Sequence, residues 1–365
     1  MISFPRVSML QFFIICFISA FGVSMTTLPG AVADAAKEDM WLTVVVGGVI
    51  FLFTFWTATK LASYFPQNTC IEYHRIILGP VLGEVVNVFL VVLLATVPIV
   101  SIRSFVVALK IYLLDLTPNF AVIVVLMVFF IYATQYGLFP IIRMQQIIFM
   151  SFHMLFLMIV LLGLLSIKTI NYLPFLAQGF IPVLKGAIPS WYAYVGPEFA
   201  VGFFYPFISM KNQVLKWGLA CIAVLTGVYT LITLIVQGIL GSADTAHNLV
   251  PTIIAYRSVE IPDTFIERLD GYFFIFWIPV FTACMLIWVY FVSSGIKQIL
   301  KLEYNRPIVV LVAPFLVYFV IVVPNFQTAQ QISQWVNYAF LAWGLGILPI
   351  LLTLAWWKEK RRNVC

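Results

Sequence analysis

The sequence predicts an all-α integral membrane protein with ten transmembrane helices, built as a five-plus-five inverted repeat in which helices 1 and 6 are discontinuous. Three observations carry that expectation. Of the 365 residues, 63% are hydrophobic and only 9% charged, with a mean hydropathy of +1.07; such a chain lacks the polar side chains needed to cover a water-soluble particle. Ten apolar runs fall near 8–35, 41–64, 81–113, 119–136, 140–167, 191–210, 214–240, 267–297, 305–324 and 333–357, each close to the ~20 residues that span ~30 Å of hydrocarbon. Two of these runs break in the middle, at Gly22-Val23-Ser24-Met25-Thr26-Thr27-Leu28-Pro29-Gly30 and at Gly196-Pro197-Glu198. Unwound backbone at membrane depth is tolerated only where it is buried in protein or lines a cavity. Paired breaks in the two halves therefore point to a ligand held between them.

Taken in order, the first run is not a signal peptide, because its apolar core continues into residues 26–30 with no A-x-A-like cleavage site. Gly22 permits backbone angles closed to other residues. A half-helix starting after it aims free N–H groups and its positive end at a carboxylate; alternatively Gly22 and Pro29 merely kink a packed helix. The third run carries Arg103 and Lys110, seven residues apart and so on about one face. Lys110 is placed to snorkel to the outer end, whereas Arg103, being deeper, is expected to pair with a carboxylate such as Asp270 or to line the outer pathway. Glu84 is expected at the inner interface, solvated. His153, alone on the fifth run, reads as a satisfied interior histidine.

The connection 171–190, with Pro174, Pro182 and Pro189, is expected to lie along the outer interface and to join the two repeats, about 8–167 and about 191–357 of a single domain 1–365. At the second break, Gly196 ends a half-helix and Pro197 separates it from the next helical segment. That leaves Glu198 at mid-membrane depth, where an unpaired carboxylate costs at least ~2.5–3.5 kcal/mol. Its readings are a contact to an ammonium group or cation, a proton relay, or a tie between helices 6 and 1. The stretch 241–266 is acidic on balance and reads as an ordered outer loop. Glu267, Arg268 and Asp270 then cluster at the top of helix 8 as an interfacial cap, with Ser293, Ser294 and Gly295 further along allowing close packing.

The net charge of +6 comes from loops and is no nucleic-acid footprint. With both termini cytoplasmic, Lys37, Lys168, Lys185, Arg257 and Arg268 fall outside, Arg103 and Lys110 lie within a helix, and the remaining 13 of the 20 Lys and Arg fall inside, as the positive-inside rule requires. Five cysteines without C-x-x-C spacing and three scattered histidines offer no metal site or disulfide framework. Walker loops, G-x-S-x-G elbows and paired carboxylates are missing too, so the sequence predicts no cofactor and no enzyme.

Gly22-Val23-Ser24 with Leu28-Pro29, Asp39-Met40-Trp41, Gly196-Pro197-Glu198, Pro251-Thr252-Ile253, and Phe265-Ile266-Glu267-Arg268 followed by Trp277 together resemble the membrane B subunit of bacterial spore germinant receptors, a branch of the amino acid–polyamine–organocation transporter superfamily. The resemblance covers essentially the whole chain. It implies a subunit of the spore inner membrane that works with an A-type membrane subunit and a C-type lipoprotein and recognises an amino acid or similar nutrient. The ligand-binding candidates are Gly22, Val23, Ser24, Met25, Thr26, Gly196, Pro197 and Glu198, with Arg103 and Asp270 as gating or ion-pairing candidates. This chain departs from the Gly-x-Gly often found in related proteins, having Ser24 at the third position, where a hydroxyl either donates to the ligand or narrows the approach to the backbone. An amino-acid/proton transporter using the same site is the competing class.

Overall fold

The computed structural model describes residues 6–259, 269–303 and 306–362. Within them the chain forms helices α1 (Met9–Ala36), α2 (Met40–Tyr64), α3 (Cys70–Leu78), α4 (Pro80–Tyr112), α5 (Asn119–Gln135), α6 (Leu138–Leu164), α7 (Ile181–Tyr192), α8 (Pro197–Phe204), α9 (Val214–Leu240), α10 (Ser242–His247), α11 (Pro251–Arg257), α12 (Leu269–Ile299), α13 (Arg306–Val322), α14 (Phe326–Ala342) and α15 (Leu348–Arg362). Among the described residues six helical stretches are long and apolar enough to cross a membrane, and the described part of each apolar run read from the sequence lies on a helix or on a consecutive pair.

The first expected break is not a break. α1 is continuous from Met9 to Ala36, through Gly22 and Pro29. Gly22 serves close packing: a Cβ there would lie 2.3 Å from the Cβ and 2.8 Å from the Sγ of Cys284 on α12. Pro29 has no N–H for the carbonyl four residues earlier, and that carbonyl, Met25 O, instead accepts a hydrogen bond from Thr252 Oγ1 of α11 at 2.8 Å. A neighbouring helix thus supplies the donor that proline removed, as membrane-embedded prolines require.

The second break is real, but its surroundings are shifted. Helix starts at Ile181, ahead of the expected 191, because Pro182 sits in the first turn where a missing N–H is harmless. It ends at Tyr192, and Gly196, at φ +142°, turns the chain into α8, which Pro197 opens. α8 stops at Phe204 rather than 210. A short helix went unforeseen: α3, closed by a capping box in which Thr69 N–H donates to Glu72 Oε2 at 2.8 Å. The last apolar run is one long helical stretch with a π-turn at Trp343–Ile347 between α14 and α15.

Side-chain and backbone ties gather the chain ends of several helices on one face. Val7 pairs with the 207–209 segment, Lys358 Nζ donates to Ile76 O, and Arg75 donates to both carboxylate oxygens of Glu84 (2.6 and 2.9 Å) and to the carbonyls of Gln298 and Ile299 that end α12. Glu84, expected to be solvated, is therefore one half of an ion pair. In α3, His74 is buried, its Nδ1 2.7 Å from Asn87 Oδ1. On the opposite face, where α1 ends, Asp39 accepts from Leu176 N–H, Gln237 donates to Glu38 O, and Ser242 donates to the Glu38 carboxylate.

Candidate functional site

A cavity of about 1040 Å³ opens on the face where α1 ends. α1 contributes Ser19 and Ala20, Ser24, Thr27 and Leu28, Gly30 and Ala31, and Asp34 and Ala35, groups that recur every three to four residues as one side of an unbroken helix does. α4 supplies Ser101 and Ser104, and α12 supplies Cys284, Met285 and Trp288. The end of α7 and the turn after it bring Tyr192, Ala193 and Val195. α14 presents a row of carboxamides, Gln327, Gln330, Gln331, Gln334 and Asn337, at helical spacing. Hydroxyls and amides thus make the polar part of the wall, and the titratable lining residues apart from Tyr192, Tyr338 and Cys284, namely Asp34, Lys185 and His247, stand toward its mouth.

Around this cavity α1 is held by donors aimed at its carbonyls. Trp288 Nε1–H donates to Ser19 O at 2.9 Å and Trp277 Nε1–H to Gly22 O at 2.8 Å. The Tyr229 hydroxyl lies 2.9 Å from Ala20 O and 3.1 Å from Ala193 O, so one phenol joins α1 to the carbonyl that ends α7. Ser24 Oγ donates to the same Ala193 carbonyl at 3.4 Å.

The break closes upon itself. Glu198 is buried, 3% exposed, and its Oε2 accepts the Gly196 N–H at 2.9 Å; it also sits in the first turn of α8, where a helix favours negative charge. The Gly196 carbonyl accepts from Phe199 and Ala200 N–H (3.0 and 2.9 Å). A Cβ on Gly196 would meet Ser19 Oγ at 2.6 Å and the Ser19 carbonyl carbon at 2.9 Å, so the unwound turn lies directly against α1.

The family described as Spore germination protein matches residues 6–331. The chain belongs to this spore germination family. It is 26% identical over 342 residues to spore germination protein YndE of Bacillus subtilis, covering 92% of each chain. Spore germination protein KB of the same organism is 24% identical over 373 residues, covering 98% of this chain and 96% of that one, and GerLB of Bacillus cereus is 25% identical over 358 residues, covering 94% of this chain and 91% of that one. Among solved structures, a mutant of the Eremococcus coleocola manganese transporter superimposes with a TM-score of 0.60 at 12% identity, covering 94% of this chain and 77% of that chain. That likeness is one of fold. Family and fold together make this a germination-related, multi-pass membrane protein with a transporter-like fold, and not an enzyme. Among the described residues no three His, Cys, Asp or Glu side chains gather in a way that suits a metal ion.

Within this germination-family chain the sequence-derived candidates separate. Ser24 lines the cavity. Gly22 packs against α12, and the carbonyls of Gly22 and Met25 are taken by Trp277 and Thr252. Thr26 is buried in α1 beside Thr252. Val23 belongs to α1, and its side chain is outside the described set. Gly196, Pro197 and Glu198 form the break beside the cavity without lining it. Arg103 is buried and its Nη2 donates to the carbonyl of Pro324, between α13 and α14. Glu267 and Arg268 lie outside the described residues, as do the side chains of Asp270 and His153.

Sequence reasoning missed the α14 wall. Its signal was present: Gln327, Gln330, Gln331, Gln334 and Asn337 repeat at helical spacing in 326–342, but an apolar run that starts at 333 cuts the row in half. It missed the tryptophans too. Trp277 and Trp288, eleven residues apart on α12, are indole donors to α1, not core filling alone.

Proposed function

We propose that this chain is the nutrient-sensing membrane subunit of a spore germinant receptor, and that a small nutrient, an amino acid, occupies the cavity between α1, α4, α7, α12 and α14. The observation that carries this reading is the composition of that wall: hydroxyls on α1 and α4 face carboxamides on α14, ending against the broken helix α7–α8. Such a wall suits a polar ligand without net charge. The continuous α1 keeps its backbone N–H groups within the helix, and Gly196 N–H is taken by Glu198; a ligand carboxylate is therefore met by side chains. Binding shifts the receptor's equilibrium only through unequal affinity for its two states. A-type and C-type subunits read that shift, in the spore inner membrane, with both termini cytoplasmic and the cavity opening outward. The grouping of Arg6, Lys60, Arg75, Lys211 and Lys358 near the face opposite the mouth supports that orientation.

The test is the germination dose–response of spores against a panel of L-amino acids. Ser24→Ala combined with Ser101→Ala is expected to raise the half-maximal concentration about tenfold or more at normal abundance, since a neutral hydrogen bond contributes ~0.5–1.5 kcal/mol. Unchanged germination on deletion of the gene, with lost amino-acid uptake in growing cells, would overturn the receptor reading in favour of a transporter.

A further inference from the structure

On the face opposite the cavity mouth, a second, smaller hollow of about 250 Å³ lies between the end of α2 and the start of α9. Lys60 and Lys211 line it, with Ser63, Thr59 and Trp56. Neither lysine has a carboxylate partner; the ion pair Arg75–Glu84 is the one found among the described residues. Instead Lys60 Nζ lies 5.4 Å from the centre of the Tyr64 ring and Lys211 Nζ 5.8 Å from that of Tyr205, while Lys211 also donates to Pro66 O. A third cation is held close by: Val7 N–H donates to Phe207 O at 2.9 Å and Ser209 N–H to Val7 O at 3.1 Å, which fixes the neighbouring Arg6 near enough for Lys211 to feel its charge. Gathered cations repel one another, so the hollow favours an anion.

Two independent features say which anion. Thr59, 6% exposed, is one of the residues around the hollow, and its buried hydroxyl has no hydrogen-bond partner, which a polar guest at this point can satisfy. Below the hollow, Trp56, Phe53 and Val49 run along one side of α2 and are 43%, 49% and 60% exposed, with the Phe53 and Trp56 rings stacked 6.1 Å apart. In a membrane protein such a strip faces acyl chains, and Trp at this level marks the interface. A cationic, hydroxyl-lined hollow continuous with an apolar strip matches a molecule with a phosphate at one end and hydrocarbon at the other.

We propose that this hollow binds the phosphate of an anionic glycerophospholipid, its acyl chain lying along Trp56, Phe53 and Val49. The same phosphate chemistry belongs to free phosphate, so the experiment separates the two. The full chain is reconstituted in nanodiscs of phosphatidylcholine with or without phosphatidylglycerol, and lipid retention is measured by native mass spectrometry beside thermal stability. Phosphatidylglycerol should be retained over phosphatidylcholine. Lys60→Gln and Lys211→Gln should each weaken that preference about fivefold and together by about tenfold or more, given ~1 kcal/mol per cation at a membrane surface. Lys216→Gln, in the first turn of α9 but outside the hollow, should leave it intact, and Thr59→Val should reduce it less than either lysine change. Because preference is a ratio within one preparation, a variant that lowers stability still reports. A preference unchanged in the double variant would overturn the proposal, as would inorganic phosphate stabilising the protein in pure phosphatidylcholine discs to the same extent as phosphatidylglycerol.

Discussion

α1 and the α7–α8 pair present the same words in the sequence, a glycine and a proline in an apolar run, and fold in opposite ways. In α1 the glycine removes a side chain so that α12 can approach, and the proline's lost donor is replaced from outside by Thr252. At 193–196 the glycine adopts a backbone conformation closed to other residues, and the carboxylate two residues later caps its N–H. What distinguishes them is spacing. Gly22 and Pro29 are seven residues apart, which leaves room for a full helical turn between them, whereas Gly196 and Pro197 are adjacent and act on the same peptide unit. One helix becomes a rigid wall studded with occupied carbonyls; the other becomes a joint.

The largest effects should come from the glycines themselves. Gly196→Ala combines a strained φ with contact to Ser19, each about 1–3 kcal/mol, and is expected to abolish normal abundance. Ser19→Gly should not restore it, because the backbone strain remains. Gly22→Ala should also destabilise by about 1–3 kcal/mol, but Cys284→Gly removes the atoms it strikes and should recover most of the loss. Immunoblotting and thermal unfolding of the four variants check this; rescue of both glycines, or of neither, would erase the contrast.

Next in size is the donor exchange at Pro29. Thr252→Val leaves the Met25 carbonyl buried and unserved, at a cost of about 1–3 kcal/mol. In a Pro29→Ala background the helix supplies its own N–H, so the same change should be nearly silent. A double-mutant cycle with additive losses would separate Thr252 from Pro29.

Glu198→Gln retains an oxygen for the Gly196 N–H and should shift the nutrient dose–response by no more than about fivefold, the loss of charge at a helix start being about 0.3–1 kcal/mol. Glu198→Ala should reduce abundance. A tenfold shift for the Gln variant at normal abundance would return Glu198 to the group of charge-bearing ligand contacts.

At neutral pH the smallest expected effect lies in α3, at the face opposite the cavity mouth, and it grows only as the solution is acidified. Burial holds His74 down to about 4, partly offset by its hydrogen bond to Asn87, from an ordinary 6.5. The unfolded chain therefore takes up a proton that the folded one refuses, and His74 lowers stability as pH falls from about 6.5 toward about 4. His74→Gln should flatten that part of the curve of thermal stability against pH; identical slopes would contradict it.

Helix class and the positions of the apolar runs were legible because hydrophobicity at membrane length admits few alternatives, and the second break was legible because Gly196-Pro197 leaves no room for a helix. The first was not, for a tertiary reason: whether a glycine frees the backbone or admits a neighbour depends on Cys284, 262 positions away, and whether a proline breaks a helix depends on Thr252. The cavity wall was half legible. Ser24 stands out in the sequence, but Ser101, Ser104 and the α14 carboxamides carry no motif, and they converge only when α4, α12 and α14 close around α1.

The central claim, that an unbroken α1 forms one wall of a nutrient-holding cavity, is tested most directly by cysteine substitution along 22–34 with a membrane-impermeant thiol reagent. The account predicts labelling at Ser24, Thr27, Ala31 and Asp34, and protection of those positions by the germinating amino acid. Met25 and Val32, buried away from the cavity, should stay unlabelled. Labelling at consecutive positions across 22–27, or labelling indifferent to the nutrient in a receptor that still germinates spores, would contradict it.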